Sequence, residues 1–458
     1  LIFLLLPTQV KSGNPFPNTT DGIHLFGLWD HMEMNAIHNP AGGNVSMLDY
    51  FWSVEEANLP KIRSATPKAV LSAYIPFGIN TMPASIDGVR VNTNLTWWQE
   101  QHPSWVLYRC DGKTPATYWG AGIPLDLSNP EVLDWQLHSS ENPRSADTLI
   151  KLGYDAISLD VFGWGNFGHA CGVYDRSGKW KQLYNGTNTT DPAYESTARS
   201  WMREFYRRLA RRIWFVINYS SSPSGCLPVC PSCLPTCDSW NGTKALFVGN
   251  HSDGTLSEAG FTSFGSNIST DLEWENRLLH MLNQQRNGKF FLDVSYWGPL
   301  NVVTKQPVDP DFTAPVEYLI GSWMLGNGGL SAVYMGPNDC TTSPCVFDGW
   351  KGNMLNYTQF LATVGVPLTA AKKGVVKGQP ADLCADVWTR EYSAALVWVN
   401  PQPVSHEPPV EHKCKVSLDS GWEYTRLDGR PFGGHSVTLP PASAIVLQRT
   451  RRVAELMV

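Results

Sequence analysis

Long apolar runs, basic charge and the commonest catalytic signatures are all scarce in this sequence of 458 residues. The opening run LIFLLL has six residues, where a membrane span needs about 20, so no stable membrane insertion is expected. Thirty-five Lys and Arg against 41 Asp and Glu give a net charge of −6, without the basic footprint that marks a nucleic-acid partner. The 11 His are scattered, with no H-E-x-x-H or H-x-H pair, so neither a metal nor a metal-dependent hydrolysis is expected. No G-x-G-x-x-G follows the first apolar run and no G-x-x-x-x-G-K-S/T occurs, so no nucleotide cofactor is expected. The missing G-x-S-x-G removes the usual support for a serine nucleophile.

What the chain has instead is 42% apolar residues, 12% aromatics including 19 Trp, ten Cys and ten Asn-x-Ser/Thr sequons. That apolar content can bury one large core and a smaller second one. The stretch LIFLLLPTQVKSGNPF reads as the remainder of a signal-peptide apolar region, residues 1–12, with a truncated membrane anchor as the competing reading. The sequons at Asn18, Asn44, Asn94, Asn185, Asn188, Asn218, Asn241, Asn250, Asn267 and Asn356 point to the same secretory, extracellular setting. Asn218 ends an apolar strand pattern and is expected to be too buried for a glycan.

In CLPVCPSCLPTC, Cys226, Cys230, Cys233 and Cys237 have a spacing that would suggest zinc in a cytosolic protein; in a secreted one, two disulfides are the better reading. Cys340 with Cys345, Cys384 with Cys414, and Cys110 with Cys171 are the remaining pairings the order allows most simply.

Apolar runs at 23–30, 69–77, 122–128, 155–162, 213–220, 254–261, 289–297 and 330–337 alternate with amphipathic stretches such as 195–212 and 271–288. Alternating strand and helix implies a parallel sheet, and eight units imply an α/β fold of the (β/α)8 TIM-barrel type. ALFVGN (245–250) is also strand-like and could displace the fifth or sixth run. A doubly wound open sheet is the alternative, but it lacks its glycine fingerprint here. After about residue 365 the pattern changes to short alternating strands punctuated by Pro, Gly and Asp. The expected organisation is a catalytic barrel over 20–364, a small antiparallel, β-sandwich-like domain over 365–450 and a tail over 451–458.

In such a barrel the active site is built at the C-terminal strand ends. The residues leaving the runs are Trp29, Asp30 and Glu33; Tyr74; Asp126; Asp160 and Trp164; Asn218 and Tyr219; Glu258; Asp293, Tyr296 and Trp297; and Tyr334. Any one carboxylate among them could be a loop residue or a helix N-cap. Several at the ends of different strands would repel one another unless protonated, paired or employed, which is the mark of acid/base chemistry. Trp and Tyr beside them offer flat apolar faces for sugar rings, with Trp29, Trp164 and Trp297 the best platform candidates. His31, His169 and His251 fall in top-face loops, as substrate hydrogen-bonding groups or solvated residues.

With Asp160 in GYDAISLDVFGWG, Glu258 in DGTLSEAGFTSFG, and the segments HPSWVLYRCDGK and IPLDLSNPEVLDW, the chain resembles the hypothetical glycosyl hydrolase families related to the endo-α-1,4-galactosaminidases and the α-galactosidase clan, over roughly residues 20–450. The resemblance implies a carbohydrate substrate, Asp160 as nucleophile and Glu258 as general acid/base. Strand-end position selects the same two residues but does not rank them above Asp126 or Asp293. The expectation is a secreted glycoside hydrolase of the retaining kind without a cofactor, in which Trp29, Asp30, Tyr74, Asp126, Trp164, Asn218, Asp293, Tyr296 and Trp297 contact substrate. A catalytically inactive carbohydrate-binding or cell-surface barrel is the alternative.

Overall fold

The structure, a computed structural model, describes residues 16–29, 48–76, 95–117, 124–160, 165–219, 243–258, 260–263, 267–268, 270–296, 313–336, 362–374, 384–403 and 414–451. Eight strands form a closed parallel barrel: β1 Leu25–Trp29, β2 Leu48–Ser53, β3 Val70–Pro76, β4 Ala156–Asp160, β5 Trp214–Asn218, β6 Gly254–Ser257, β7 Phe290–Tyr296 and β8 Ser331–Gly336. Each pairs with its neighbours in sequence, and Leu25 opposite Val333 closes the ring. This is the (β/α)8 order, with antiparallel sheets following it toward the C-terminus.

Seven of the eight runs read from the sequence coincide with barrel strands. The remaining strand of the ring, second in order, is LDYFWS, Leu48–Ser53, while the third run, 122–128, lies outside the barrel, where Leu125 makes an isolated antiparallel bridge to Val106. Five of the six residues of β2 are buried, as a parallel strand covered on both faces requires, so it shows no alternation to recognise. ALFVGN lies in a helix, Thr243–Asn250.

The period-two alternation of strand side chains sorts the barrel residues. Tyr50 of β2, Ser72 of β3 and Ser158 of β4 meet inside, with Tyr50 Oη 3.0 Å and Ser72 Oγ 2.5 Å from Ser158 Oγ. Below them Phe16 stacks on Phe290 at 4.5 Å and packs on Tyr50 and Trp214, closing the N-terminal end of the barrel with an aromatic plug. The ring is thereby filled from beneath, and the opposite end is left for chemistry.

The segments after β3 and β4 form a separate packed unit. Trp98, Trp105, Val106, Tyr108, Leu125, Val132 and Trp135 make one cluster, and Leu107, Ala116, Ala170, Val173 and Tyr184 another. The Cys110–Cys171 disulfide joins the two excursions, beside reciprocal backbone bonds between Tyr108 and residues 171–172. Much of the tryptophan content is therefore packing.

Toward the C-terminus, a five-stranded antiparallel sheet runs in the order Lys372–Lys373, Trp388–Glu391, Ala395–Asn400, Ser443–Arg451, Trp422–Arg426, accompanied by the pair Cys414–Ser417 and Ser436–Leu439. Ala395, Val397, Val399 and Val446 join the barrel core, while Trp398, Ile445 and Leu447 join a second core with Val416, Val437 and Leu439. The Cys384–Cys414 disulfide lies in that second core. Both disulfides match pairings read from the order of the cysteines; Cys226, Cys230, Cys233, Cys237, Cys340 and Cys345 lie outside the described residues. Gly321, in the helix Thr313–Gly326, lets the sheet approach closely: a Cβ there would meet Ala444 Cβ at 3.1 Å and Val399 Cγ2 at 3.3 Å. Arg390 Nη1 donates to the carbonyls of Met324, Leu325 and Asn327 at 2.6 to 3.0 Å, satisfying groups that a helix C-terminus otherwise leaves bare.

Candidate active site

The barrel geometry selects which polar side chains reach the mouth. On β4, Ser158 points inward, so Asp160, two residues on and last in the strand, does so too. Tyr74 of β3 lies opposite Ser158 in register, and its hydroxyl donates to Asp160 Oδ2 at 2.7 Å. Asn218 is the last residue of β5, and its Nδ2 donates to Asp160 Oδ1 at 2.7 Å. The same nitrogen donates to Glu258 Oε2 at 2.8 Å. Glu258 follows β6 directly, and Leu256, two residues earlier, pairs with Asn218.

Tyr74, Asp160, Asn218 and Glu258 thus converge from four consecutive strands. The Asp160 and Glu258 oxygens that share the Asn218 nitrogen can be no farther apart than its two bonds together, 5.5 Å. Both carboxyl groups and the amide are partly exposed, while Tyr74 is buried. Two carboxylates this close repel one another, and a shared amide donor is the neutral way to hold them together. A carboxyl pair at such a separation can attack an electrophilic carbon with one member while the other moves a proton.

Asp293 is not brought to this group. Phe290 faces the plugged interior and Phe291 packs on His280 of the helix Asp271–Arg286, with ring centroids 5.6 Å apart. Asp293 shares the outer face with Phe291 and is 1% exposed. Burial pushes its carboxyl up to about 7, opposed by the Ser295 hydroxyl and by the charge of Arg277. Asp126 lies in the excursion after β3, where Ser128 donates to Oδ1 from both its N–H and its hydroxyl. Burial raises the Asp126 carboxyl against those bonds.

Trp29 and Tyr296 end β1 and β7, but their side chains, like Asp30, Trp164, Trp297, His31 and Glu33, lie outside the described residues. Tyr334 is buried against Phe26. His251 stacks on Phe247 and bonds its carbonyl. Three contributing residues, Arg144, Ser72 and Ser158, carry no site signal in the sequence. Arg144 Nη1 donates to the Tyr74 carbonyl, from a loop that carries no periodic signal. Ser72 and Ser158 underlie the carboxylates, and their only trace in the sequence is two serines at inward positions of apolar runs.

Among the described residues, no group of three or more His, Cys, Asp or Glu could hold a metal ion, and no helix is long and apolar enough to cross a membrane.

No protein-family model and no curated protein matches the chain. Similar solved structures include the galactosidase domain of alpha-galactosidase-sucrose kinase, AgaSK (12% identity, 95% of this chain and 55% of that one, TM-score 0.43). Another is the GH36 alpha-galactosidase AgaB from Geobacillus stearothermophilus (11%, 95% and 56%, 0.40). A third is the cyclic alpha-maltosyl-(1→6)-maltose hydrolase from Arthrobacter globiformis (13%, 95% and 92%, 0.41). The chain spans little more than half the length of the first two. The chain's own closed ring of eight parallel strands, with antiparallel sheets toward the C-terminus, is a TIM barrel followed by a small β region.

Proposed function

We propose that the protein is a secreted glycoside hydrolase that cleaves an oligo- or polysaccharide by a retaining double displacement. The observation that carries this reading is the bridge from Asn218 to Asp160 and Glu258, with oxygens no more than 5.5 Å apart. Facing oxygens this close suit retaining enzymes, whose carboxyl groups lie about 5–5.5 Å apart, better than inverting ones, whose groups stand about 6.5–9.5 Å apart to admit a water. Asp160, with both oxygens accepting hydrogen bonds from Asn218 and Tyr74, attacks the anomeric carbon as the nucleophile. Glu258 gives its proton to the leaving glycosidic oxygen. It then takes a proton from the water that attacks the glycosyl-enzyme, releasing Asp160 and restoring the Glu258 acid.

The secretory setting is supported by the two disulfides and by sequon asparagines Asn18, Asn185, Asn188 and Asn250, which are exposed. Asn218, held between two carboxylates, is not available to a glycan.

The test begins with a screen of glycans for reducing-sugar release, followed by Asp160→Ala and Glu258→Ala on the responsive substrate. Each is expected to lower kcat on the order of 10³-fold or more, with the first-formed product keeping the substrate's anomeric configuration by proton NMR. Undiminished hydrolysis by both variants sinks the residue assignment. Inverted product sinks the double displacement, and glycan binding without turnover by the unaltered protein favours an inactive, carbohydrate-binding barrel.

A further inference from the structure

Glu258 follows a short strand, and something must fix the chain beyond it. Gly260, two residues on, donates its N–H to the Val294 carbonyl of β7 at 2.9 Å. Phe261 donates its N–H to Ser295 Oγ at 3.2 Å, and that hydroxyl donates onward to Asp293 Oδ2 at 3.1 Å. Ser295 and Asp293 are both buried on the outer face of β7. Ser257, the residue before Glu258, pairs with Asp293 in the barrel register. The turn is pressed directly onto this pair: a Cβ at Gly260 would lie 2.3 Å from Asp293 Oδ1, 2.7 Å from Ser295 Oγ and 2.8 Å from the Val294 carbonyl oxygen. Only glycine fits there without displacing one of them.

We propose that Ser295 and Asp293 are positioning residues for Glu258, acting from outside the barrel by fixing the turn at Gly260 and Phe261. A buried carboxyl that accepts from one serine, which in turn accepts from the backbone just past the acid/base residue, is a fixed strut. On the other side of the turn Phe261 packs on Trp274, so the turn cannot swing away from β7 without opening the core. Asn218 holds the Glu258 carboxyl from within, and the strut holds its backbone from behind. Proton transfer to a leaving oxygen tolerates little displacement, so loosening the turn affects the acid step more than binding.

The inference rests on the reading of Glu258 as the acid/base, and its test separates the two. Ser295→Ala removes the hydroxyl, and Ser295→Thr keeps it. In the full chain, the amides of residues 260–261 are expected to exchange with solvent at least about tenfold faster in Ser295→Ala than in the unaltered protein, and to recover in Ser295→Thr. On aryl glycosides of the responsive sugar, Ser295→Ala is expected to lose kcat/KM, which reports the first displacement, about tenfold where the leaving group is poor and to stay within about twofold where it is a dinitrophenolate, which departs without a proton. A merely structural role lowers both rates alike, and that result overturns the proposal, as does unchanged exchange. If the unaltered protein turns over no glycoside, the functional reading fails, and exchange alone decides whether the strut holds the turn. Exchange is measured below the unfolding transition of each variant, so a loss of stability is not read as a loss of position.

Discussion

Asn218 donates from one amide nitrogen to Asp160 at 2.7 Å and to Glu258 at 2.8 Å. It offsets the repulsion between two carboxyl groups while leaving both partly open to solvent. Asn218→Ala removes both bonds and lets the pair separate. A lost hydrogen bond to a charged group costs about 1.5–3 kcal/mol, so kcat on the responsive glycan is expected to fall on the order of 10- to 100-fold. Asn218→Asp places a third carboxylate between the first two and is expected to cost more. Rates within twofold of the unaltered protein for both variants would show that the bridge has no part in catalysis.

Tyr74 gives Asp160 its second donor. Tyr74→Phe keeps the ring and removes one hydroxyl, so the expected loss is smaller than for Asn218→Ala, about 3- to 10-fold in kcat. The folded state is expected to be little changed, because the hydroxyl's partner is a partly exposed carboxylate. Steady-state kinetics beside thermal unfolding distinguish a loss of chemistry from a loss of structure.

The strand ends made much of this site legible. Asp160 and Asn218 end strands, Glu258 follows one and Tyr74 lies two residues before the end of another, so a period of two and the barrel rule together place them at one mouth. The same rule also points to Asp293, which faces outward, because position along β7 says how high a residue sits but not which face it takes. The phase of that strand is set by Phe290 meeting the Phe16 plug, a contact between residues 274 apart in sequence. Asp126 stands in an apolar stretch that resembles a barrel strand in sequence but pairs outside the barrel. Leu48–Ser53 is hard to see in the sequence because a strand buried on both faces carries no alternation. The pairing of Cys384 with Cys414 followed from order alone, since both fall in the region of short alternating strands.

Asp293 carries a stability signature as well as a position. Its carboxyl, raised by burial to about 7 from an ordinary 3.8, keeps its proton in the folded chain where the unfolded chain has lost it. Between those values the folded state binds more protons, so stability contributed by this group falls as pH rises from about 4 to about 7, by at most about 4 kcal/mol, and levels off above. Asp126, Asp253 and Glu317 are also raised by burial and share the sign, so the measurement is a difference. Urea unfolding across this range is expected to show a shallower pH slope for Asp293→Asn than for the unaltered protein. Parallel curves would mean that Asp293 is ionised throughout, held by the Arg277 charge.

The seam between barrel and C-terminal sheet concentrates on Arg390. It is 9% exposed, and its Nη1 serves the carbonyls of Met324, Leu325 and Asn327 while its Nε serves that of Thr369 at 2.9 Å. Tyr392, two residues on, adds its hydroxyl to the Met324 carbonyl at 2.6 Å. A planar guanidinium can serve carbonyls in different directions at once, and an ammonium on a flexible stem cannot hold the same fork. Arg390→Met fills the space but leaves several buried acceptors unpaired, each worth about 1–3 kcal/mol and not additive. The expected destabilisation is about 3 kcal/mol, read as a lower urea midpoint, with Arg390→Lys intermediate. The second core, built from Trp398, Ile445, Leu447 and the Cys384–Cys414 bridge, does not include this contact. Arg390→Met is therefore expected to loosen the helix C-terminus before that core, with faster amide exchange near residues 324–330 than near 414–416. A midpoint unchanged in Arg390→Met would show that the guanidinium is not needed at this seam, which is then held by Val399 and Val446 packed on Gly321 and by the bonds from Tyr392 to Met324 and from Val446 to Glu317.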